Sequence, residues 1–498
     1  MTKRMMVLLG ILVLFLSGSV LAGDLGKEFV SPPDSARMWT WWFWLGDKVD
    51  KESITADLEA LKAQGMSGVT VYSLSGPGVR VKGPDYMSPE WLKNFKHTLK
   101  EAERLGLGVS AMLCSGWNVG GPWIKPENAC KQQVSSEMTL VGPQHFVGKL
   151  PAPAGNPQFY RDLAIQAFPA ALSNLNDSAI IDLTAKCHEG TLDWEVPEGS
   201  WTILRSGYSM NGKKTSWSSS TGAGLEGDPL ASSTLDLQFA HVATPLIEEA
   251  GPFVGTVFRS LQIDSWEIGR PNWSEGFCDD FRKYRGYDPR PYLPALAGRK
   301  LVNAELTDRF LYDHRRTLGD CVAEHYYGRL STLAESKGLI QQSEAGDVGG
   351  SMILDQLKNL GRCAIPMGEF WQDEKANQNI NGKLTSSAAH LYGKPIVAAE
   401  SFTSWLHWLD SPSSLKPPPT VLSARDSTTF SSSPVQPIAA TVFLVRNSAP
   451  GPTSTGRSPG GTRRIASVIT SPVAATCCSR ACSPPMCCST MVTVVQTS

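Results

Sequence analysis

The sequence predicts an α/β protein built on an incomplete (β/α)8 barrel of the TIM type, with seven recognisable strands and an inserted antiparallel β module. Two observations favour this fold. Short β-branched or aromatic runs alternate with segments of helical periodicity, as in parallel βα units, and this alternation is interrupted once, between about residues 132 and 236. An open doubly wound sheet is the alternative, but no glycine-rich phosphate loop follows the first strand.

Residues 1–22 have the pattern of a secretory signal peptide. Lys3 and Arg4 precede an apolar run that is short for a membrane span, and the small residues that follow predict cleavage after Ala22. We therefore expect a secreted or periplasmic protein with no membrane span after cleavage. The 46 basic and 47 acidic residues leave a net charge of -1, which argues against a nucleic-acid partner.

Residues 23–131 should form the first three strands of the barrel. A dense aromatic run supplies the first strand, and Asp50 can cap a helix whose Ile54, Leu58 and Leu61 recur at helical spacing. A second helix should begin at Ser88 and Pro89, because proline is favoured in the first turn. The strands are expected at 38–45, 68–74 and 107–115.

Residues 132–236 contain short alternating pieces separated by Gly, Pro, Asn and Ser, which indicates the inserted antiparallel module. The barrel resumes over residues 237–416. Its fourth strand lies in VFRSLQIDSW, and a long helical segment follows from about Ala304 to Lys337. Strands five to seven are expected in LIQQSEAG, CAIPMGEFW and KPIVAAESF, so a closed barrel needs one more strand.

Residues 417–498 differ in composition from everything before them. After Lys416 the chain has no Lys, Glu, His, Trp or Tyr, which predicts disorder and favours translation in a shifted frame over a natural tail. Its five cysteines match no zinc spacing and have no histidine beside them. A barrel cut short in this way should be poorly stable, and whether the chain is active is left open.

Acidic residues follow four consecutive strands. One carboxylate at a strand end is usually only solvated, but four in a row indicate a site at the barrel mouth. The acids are Asp264, Glu267, Glu344, Glu369 and Glu400. Trp44 and Trp117 also fall at strand ends, where an indole can stack on a sugar ring, and His390 could donate a hydrogen bond to substrate. Paired carboxylates beside aromatic rings suit glycoside hydrolysis.

The fourth strand allows a finer prediction from its alternation. If Ser260, Gln262 and Asp264 face the barrel interior, then Leu261 and Ile263 face the helices. Strict alternation would also turn Glu267 outward. Glu267 can therefore reach a sugar only if the strand has ended by about Trp266.

Several motifs together resemble glycoside hydrolase family 106, the α-L-rhamnosidases. They include SGWNVGGPWIKPENA, IDSWEIGRPNWS, SEAGD, IPMGEFW and HLYGKPIVAAESFTS, and the resemblance covers roughly residues 29–416. It implies a (β/α)8 catalytic domain, an inverting mechanism, a rhamnose-containing glycan as substrate and a calcium ion near the sugar, whose ligands the sequence does not assign.

By motif, the resemblance implies that Glu267 is the general acid and Glu400 the carboxylate that activates water, with Glu369 as the competing base. It implies that Asp264 and Glu344 contact the sugar or calcium. Two alternatives remain open at this point. One is a retaining glycosidase of other sugar specificity, and the other is a non-catalytic carbohydrate-binding remnant.

Overall fold

The computed structural model describes residues 37–76, 79–175, 179–346, 353–371, 382–403, 491–492 and 495–496. The predicted signal peptide lies outside these residues, and so does the tail after Lys416, apart from its last two short segments. None of the described helices is long and apolar enough to cross a membrane.

Seven parallel strands form one sheet in which each strand pairs with the next along the chain. The prediction of an incomplete (β/α) barrel is confirmed. The strands are β1 (Trp39–Leu45), β2 (Gly68–Leu74), β3 (Gly108–Ser115), β4 (Phe258–Ile263), β5 (Ile340–Ser343), β6 (Ile365–Trp371) and β7 (Ile396–Thr403).

The outer edge of β7 pairs with two short antiparallel segments, Met491–Val492 and Val495–Gln496. Both run against the direction of the seven barrel strands. Within the described residues, therefore, no eighth parallel strand joins β7 to β1.

Helices separate the barrel strands, as βα units require. They are α1 (Lys51–Ala63), α2 (Pro89–Leu105), α3 (Ser232–Gln238), α4 (Thr244–Ala250), α5 (Phe277–Arg285), α6 (Leu293–Leu296), α7 (Ala304–Cys321), α8 (Arg329–Glu335), α9 (Gln356–Arg362) and α10 (Gly382–Tyr392). The segments Phe239–Ala243 and Val322–Gly328 are π-helical and join α3 to α4 and α7 to α8.

The first two helices begin where the sequence predicts. The Asp50 carboxylate accepts a hydrogen bond of 2.7 Å from the Ser53 N–H and caps α1. Ser88 caps α2, and Pro89 occupies its first turn. Gly106 ends α2 in the left-handed conformation, at φ 65°, where a residue with a side chain would be strained.

The inserted module is an antiparallel sheet, as predicted. Its strands, in spatial order, are Lys131–Lys149, Thr191–Met210, Tyr160–Pro169 and Ile181–Asp182. Cys187–His188 pairs with the second of these, and Asn174–Leu175 pairs with Lys300–Leu301. After Met210 the chain returns across the end of β3, where Leu225–Glu226 pairs with Gly120–Gly121.

Side-chain alternation along the strands divides the barrel core into two layers. The inner layer contains Trp41, Tyr72, Met112, Cys114, Met367 and Ala398. The outer layer, between sheet and helices, contains Trp42, Trp44, Leu261 and Ile263. The prediction that Leu261 and Ile263 face the helices is therefore confirmed.

Candidate active site

The five predicted acids all lie at the carboxyl-terminal ends of β4 to β7. Strand β4 ends at Ile263, so Asp264 follows it directly and Glu267 lies on the loop beyond. This is the early strand end that Glu267 needs in order to turn towards the mouth. Glu344 follows β5 in the same way, and its N–H donates to the Ile263 carbonyl across 3.3 Å.

Glu369 and Glu400 lie opposite each other on the neighbouring strands β6 and β7. Each comes two residues after an inner-layer residue, Met367 or Ala398. Because side chains alternate along a strand, both glutamates face the barrel interior. Both are buried.

Asp264, Glu344 and Glu400 form a compact cluster of buried carboxylates. One oxygen from each lies within 4.8 Å of the others. No donor from the described residues outside the cluster reaches either oxygen of Glu344. Burial, followed by the charges of Asp264, Glu400 and Glu369, raises the pKa of Glu344 well above its ordinary value.

The pKa of Asp264 is also well above its ordinary range, chiefly because of burial and then because of the charges of Glu267 and Glu369. Carboxylates this close cannot all be ionised in a dry site unless a cation or shared protons compensate them. A set of hard oxygen ligands of this kind suits a calcium ion. These three residues could therefore hold such a metal.

Glu267 has the protonation behaviour that a general acid requires. Its side chain is exposed to solvent at the open mouth. The protein around it nevertheless desolvates the carboxyl group, and together with the charge of Glu369 this raises the pKa of Glu267 to about 7. A carboxyl group with this pKa is about half protonated at neutral pH and can give its proton to a leaving oxygen.

A row of neutral polar side chains lies beside the carboxylate cluster. The amide of Gln342 donates to Gln262 at 2.7 Å, and the amide of Gln262 donates to the Tyr72 hydroxyl at 2.7 Å. Burial and the charges of Asp264, Glu344 and Glu400 raise the pKa of Tyr72 well above its ordinary value. Tyr72 therefore stays protonated and remains available as a hydrogen-bond donor.

Glu226 is a further acid at the mouth that the sequence reasoning missed. It is 3% exposed, and one of its oxygens accepts a hydrogen bond of 3.1 Å from Asn118 while the other has no partner. Burial, with a contribution from the charge of Glu267, raises the pKa of Glu226 to about 7, although Lys213 opposes the shift. Its place in the glycine-rich stretch GAGLEGD was the one available signal.

The ends of β1 to β3 carry aromatic rings in place of acids. The Trp117 ring centre lies 6.0 Å from those of Phe43 and Tyr72 and 6.4 Å from that of Trp217. Trp217 is exposed and has a left-handed backbone, at φ 55°. Its carbonyl accepts from the Ser75 N–H at 2.7 Å, which ties Trp217, a second residue that the sequence did not predict, to the end of β2. Trp117 thus lies at the mouth, and its contact with a sugar stays a prediction.

Two predicted substrate contacts are placed elsewhere. Trp44 has no exposed surface and packs in the outer layer, 4.9 Å from Trp91 of α2, because alternation turns it away from the interior. Phe43 faces the mouth in its place. His390 is exposed near the end of α10, just before β7 begins, and therefore lies at the end of the barrel opposite the acids. These positions argue against a substrate contact for either Trp44 or His390.

The match to known families agrees with this geometry. Residues 30–174 and 158–423 match the family model of glycoside hydrolase family 106, described as alpha-L-rhamnosidase. The structure is similar to that of a rhamnosidase from Novosphingobium sp. PP1Y, with a TM-score of 0.70 and 25% sequence identity, over 79% of this chain and 54% of that one.

A second relative has a different name. The chain is 35% identical over 426 residues to a Formosa agariphila protein named "Putative beta-glucuronidase", covering 79% of this chain and 36% of that protein. The chain therefore spans about half the length of the rhamnosidase and about a third of the Formosa protein.

Proposed function

Because the chain belongs to glycoside hydrolase family 106, we propose that it removes terminal α-L-rhamnosyl residues from glycans with inversion at the sugar carbon. The observation that supports this proposal best is the convergence of Asp264, Glu267, Glu344, Glu369 and Glu400 at one end of the barrel. Glycoside hydrolysis needs one carboxyl group that gives a proton and a second carboxylate that activates water, and the acids at this end of the barrel are available for these two roles.

Glu267 is the proposed general acid. Its pKa, raised to about 7, leaves a large fraction of the molecules with a proton on this carboxyl group, ready for transfer to the glycosidic oxygen. The loop beyond β4 exposes it to solvent, where a substrate can reach it.

Glu400 is the proposed base that activates water, and Glu369 is the competitor beside it. Glu400 also belongs to the buried cluster with Asp264 and Glu344, so a bound cation would compete with water for its oxygens. Glu369 is not in that cluster. Removing each carboxylate in turn should separate the two roles.

Asp264, Glu344 and Glu400 are the residues that would hold calcium. When bound there, calcium would supply positive charge that compensates the three carboxylates and could attract sugar hydroxyls. Tyr72 and Gln262, which lie beside the cluster, would orient the same sugar through hydrogen bonds.

The charge of the mouth favours a neutral sugar over a uronic acid. A glucuronyl group would bring another carboxylate towards acids that already raise one another's pKa. Rhamnose is an uncharged deoxy sugar and avoids that repulsion. The name of the Formosa relative makes β-glucuronidase activity the second candidate function.

The test is hydrolysis of paired substrates that share one aryl leaving group. The proposal expects release from the α-L-rhamnoside and none above background from the β-D-glucuronide. Proton NMR of the first product formed should show the β anomer. Preference for the glucuronide, or release of the α anomer first, would overturn the substrate or the inverting mechanism respectively.

Secretion is a separate proposal, supported by the basic start and apolar run of residues 1–22. Expression of the full chain in a bacterium, followed by N-terminal sequencing of the processed protein, tests it. We expect a mature chain that begins at Gly23. A cytoplasmic, unprocessed product would contradict secretion.

A further inference from the structure

Three potential metal ligands of different chemistry meet outside the barrel mouth. Asp280 lies on α5, Cys321 is the last residue of α7, and His325 lies on the π-helical segment that follows. One ligand atom from each lies within 4.8 Å of the others. Cys321 and His325 are four residues apart, so one face of the continuous helix presents both.

We propose that Asp280, Cys321 and His325 bind a transition-metal ion, Zn²⁺ or a metal of similar ligand preference, with a fourth ligand from the adjoining cavity. Imidazole, thiolate and carboxylate together form a set that zinc accepts in tetrahedral geometry. This site is separate from the acidic cluster and goes beyond the proposed glycosidase function.

The distances fit that geometry. His325 Nε2 lies 3.6 Å from Asp280 Oδ1. With metal bonds of about 2.0–2.2 Å to nitrogen and oxygen, two ligands of a tetrahedral site lie about 3.4 Å apart. An ion could therefore fit between these two atoms with small side-chain movements.

The imidazole of His325 is already held in a suitable orientation. Its Nδ1 lies 2.8 Å from the Leu230 carbonyl oxygen, which fixes the proton on Nδ1 and leaves the lone pair on Nε2. Metal-binding histidines are commonly oriented in this way, by donating their other N–H to a carbonyl or carboxylate. The π-helical turn that carries His325 is itself a feature found often at functional sites.

A cavity beside the three ligands has room for the ion. A buried polar group without a hydrogen-bond partner also lies nearby. Asp280 and His325 line a cavity of about 310 Å³, together with Ser274 and Glu275. The buried hydroxyl of Tyr284 has no hydrogen-bond partner among the described residues, and burial, followed by the charges of Cys321 and Asp280, raises its pKa. Water in the cavity could complete the coordination.

Metal uptake has a defined proton balance. Cys321 is a buried free cysteine in the absence of metal. Formation of the metal–sulfur bond replaces the S–H bond, and the proton passes to solvent while no group is oxidised or reduced.

Cobalt(II) titration of the full reduced chain tests the site, because a bound thiolate gives a near-ultraviolet charge-transfer band. Excess Ca²⁺ is added to the buffer to compete with Co²⁺ for the acidic cluster. We compare wild type with Cys321→Ser, with His325→Gln, and with Cys187→Ser, which removes a half-buried thiol in the inserted sheet. The tail cysteines are present in all four proteins, so their contribution cancels.

We expect wild type and Cys187→Ser to bind one more equivalent of Co²⁺ than Cys321→Ser and His325→Gln, with a stronger charge-transfer band, and Zn²⁺ to displace it. Equal uptake and equal spectra in wild type and Cys321→Ser would overturn the proposal and leave Asp280 and His325 as an ion pair. If Cys321→Ser does not fold, Co²⁺ uptake and spectra are compared between wild type and His325→Gln, and equality would again overturn the proposal. The result does not depend on glycosidase activity.

Discussion

The two halves of the barrel share one backbone architecture and differ in what their strand ends carry. Strands β1 to β3 end beside Phe43, Tyr72 and Trp117, whereas β4 to β7 end in carboxylates. The aromatic half offers flat surfaces for a sugar ring, and the acidic half offers proton donors and acceptors. Under the proposed function, the aromatic half would bind the sugar ring and the acidic half would carry out the chemistry.

The largest loss of activity is expected from removing the proposed base in the acidic half. Glu400→Gln should lower kcat about 10²- to 10⁴-fold, whatever the leaving group, since water activation is lost in every case. Glu369→Gln should lower kcat by a smaller factor. Steady-state kinetics with a good and a poor leaving group give the measurement. If Glu369→Gln has the larger effect, the two roles are exchanged.

Cation binding should stabilise the acidic half specifically. In the wild type, Ca²⁺ at about 100 times its Kd should add about 2.7 kcal/mol to the free energy of unfolding. Glu344→Gln should lose most of that increment, because Glu344 lies within 4.8 Å of both other ligands. Thermal unfolding with Ca²⁺ and with a chelator measures it.

The control for that measurement is Glu335→Gln, which removes an exposed carboxylate from a helix end. It should respond to Ca²⁺ as the wild type does. An increment that is unchanged in Glu344→Gln would show that calcium binds elsewhere.

Glu226 is an exception to the division between aromatic and acidic strand ends, because it is a buried acid that lies over the end of β3. Its folded pKa of about 7 lies above the ordinary value of 4.5, so its ionisation lowers stability as pH rises between these values. Glu226→Gln should therefore be more stable than wild type by about 1–3 kcal/mol at pH 8 and about equal to it at pH 4.

Urea unfolding at the two pH values measures the effect, with Glu195→Gln, whose side chain is 79% exposed, as the control. We expect that control to stay within about 0.5 kcal/mol of wild type. A Glu226→Gln variant that is less stable at pH 8 would mean that the carboxylate has an attractive partner.

The aromatic half should give the smallest effect. Trp117→Ala should raise KM about 3- to 10-fold and change kcat little, because stacking holds the sugar ring without taking part in bond cleavage. Trp44→Phe, in the outer layer, should leave KM unchanged. Initial rates measured over a range of glycoside concentrations give KM for each variant. Equal KM values for Trp117→Ala and Trp44→Phe would contradict a role for Trp117 in stacking on the sugar.

Alternation explains which parts of the site could be predicted from sequence. The acid after β4 is predictable because the apolar residues Leu261 and Ile263 mark the last part of that strand, and their outward direction follows from period two. In the run WTWWFWL every position is apolar or small, so composition could not show that Trp44 faces the helices and Phe43 the mouth.

Other positions could not be predicted because they depend on contacts between segments that are distant in sequence. Glu226 reaches the mouth only because the inserted module returns the chain across β3. His390 is close to β7 in sequence, but it lies on the helix that leads to the beginning of that strand. Asp280 meets Cys321 and His325 only through helix packing, and no spacing between α5 and α7 could indicate it.

The central proposal is that Glu267 protonates the leaving group at the acidic end of the barrel. Its most direct test compares wild type with Glu267→Gln on aryl α-L-rhamnosides whose leaving groups span a range of acidity. We predict a loss of about 10²- to 10⁴-fold for the poorest leaving group that shrinks steadily as the leaving group becomes more acidic. A loss that is the same for all leaving groups, or no loss, would contradict the assignment.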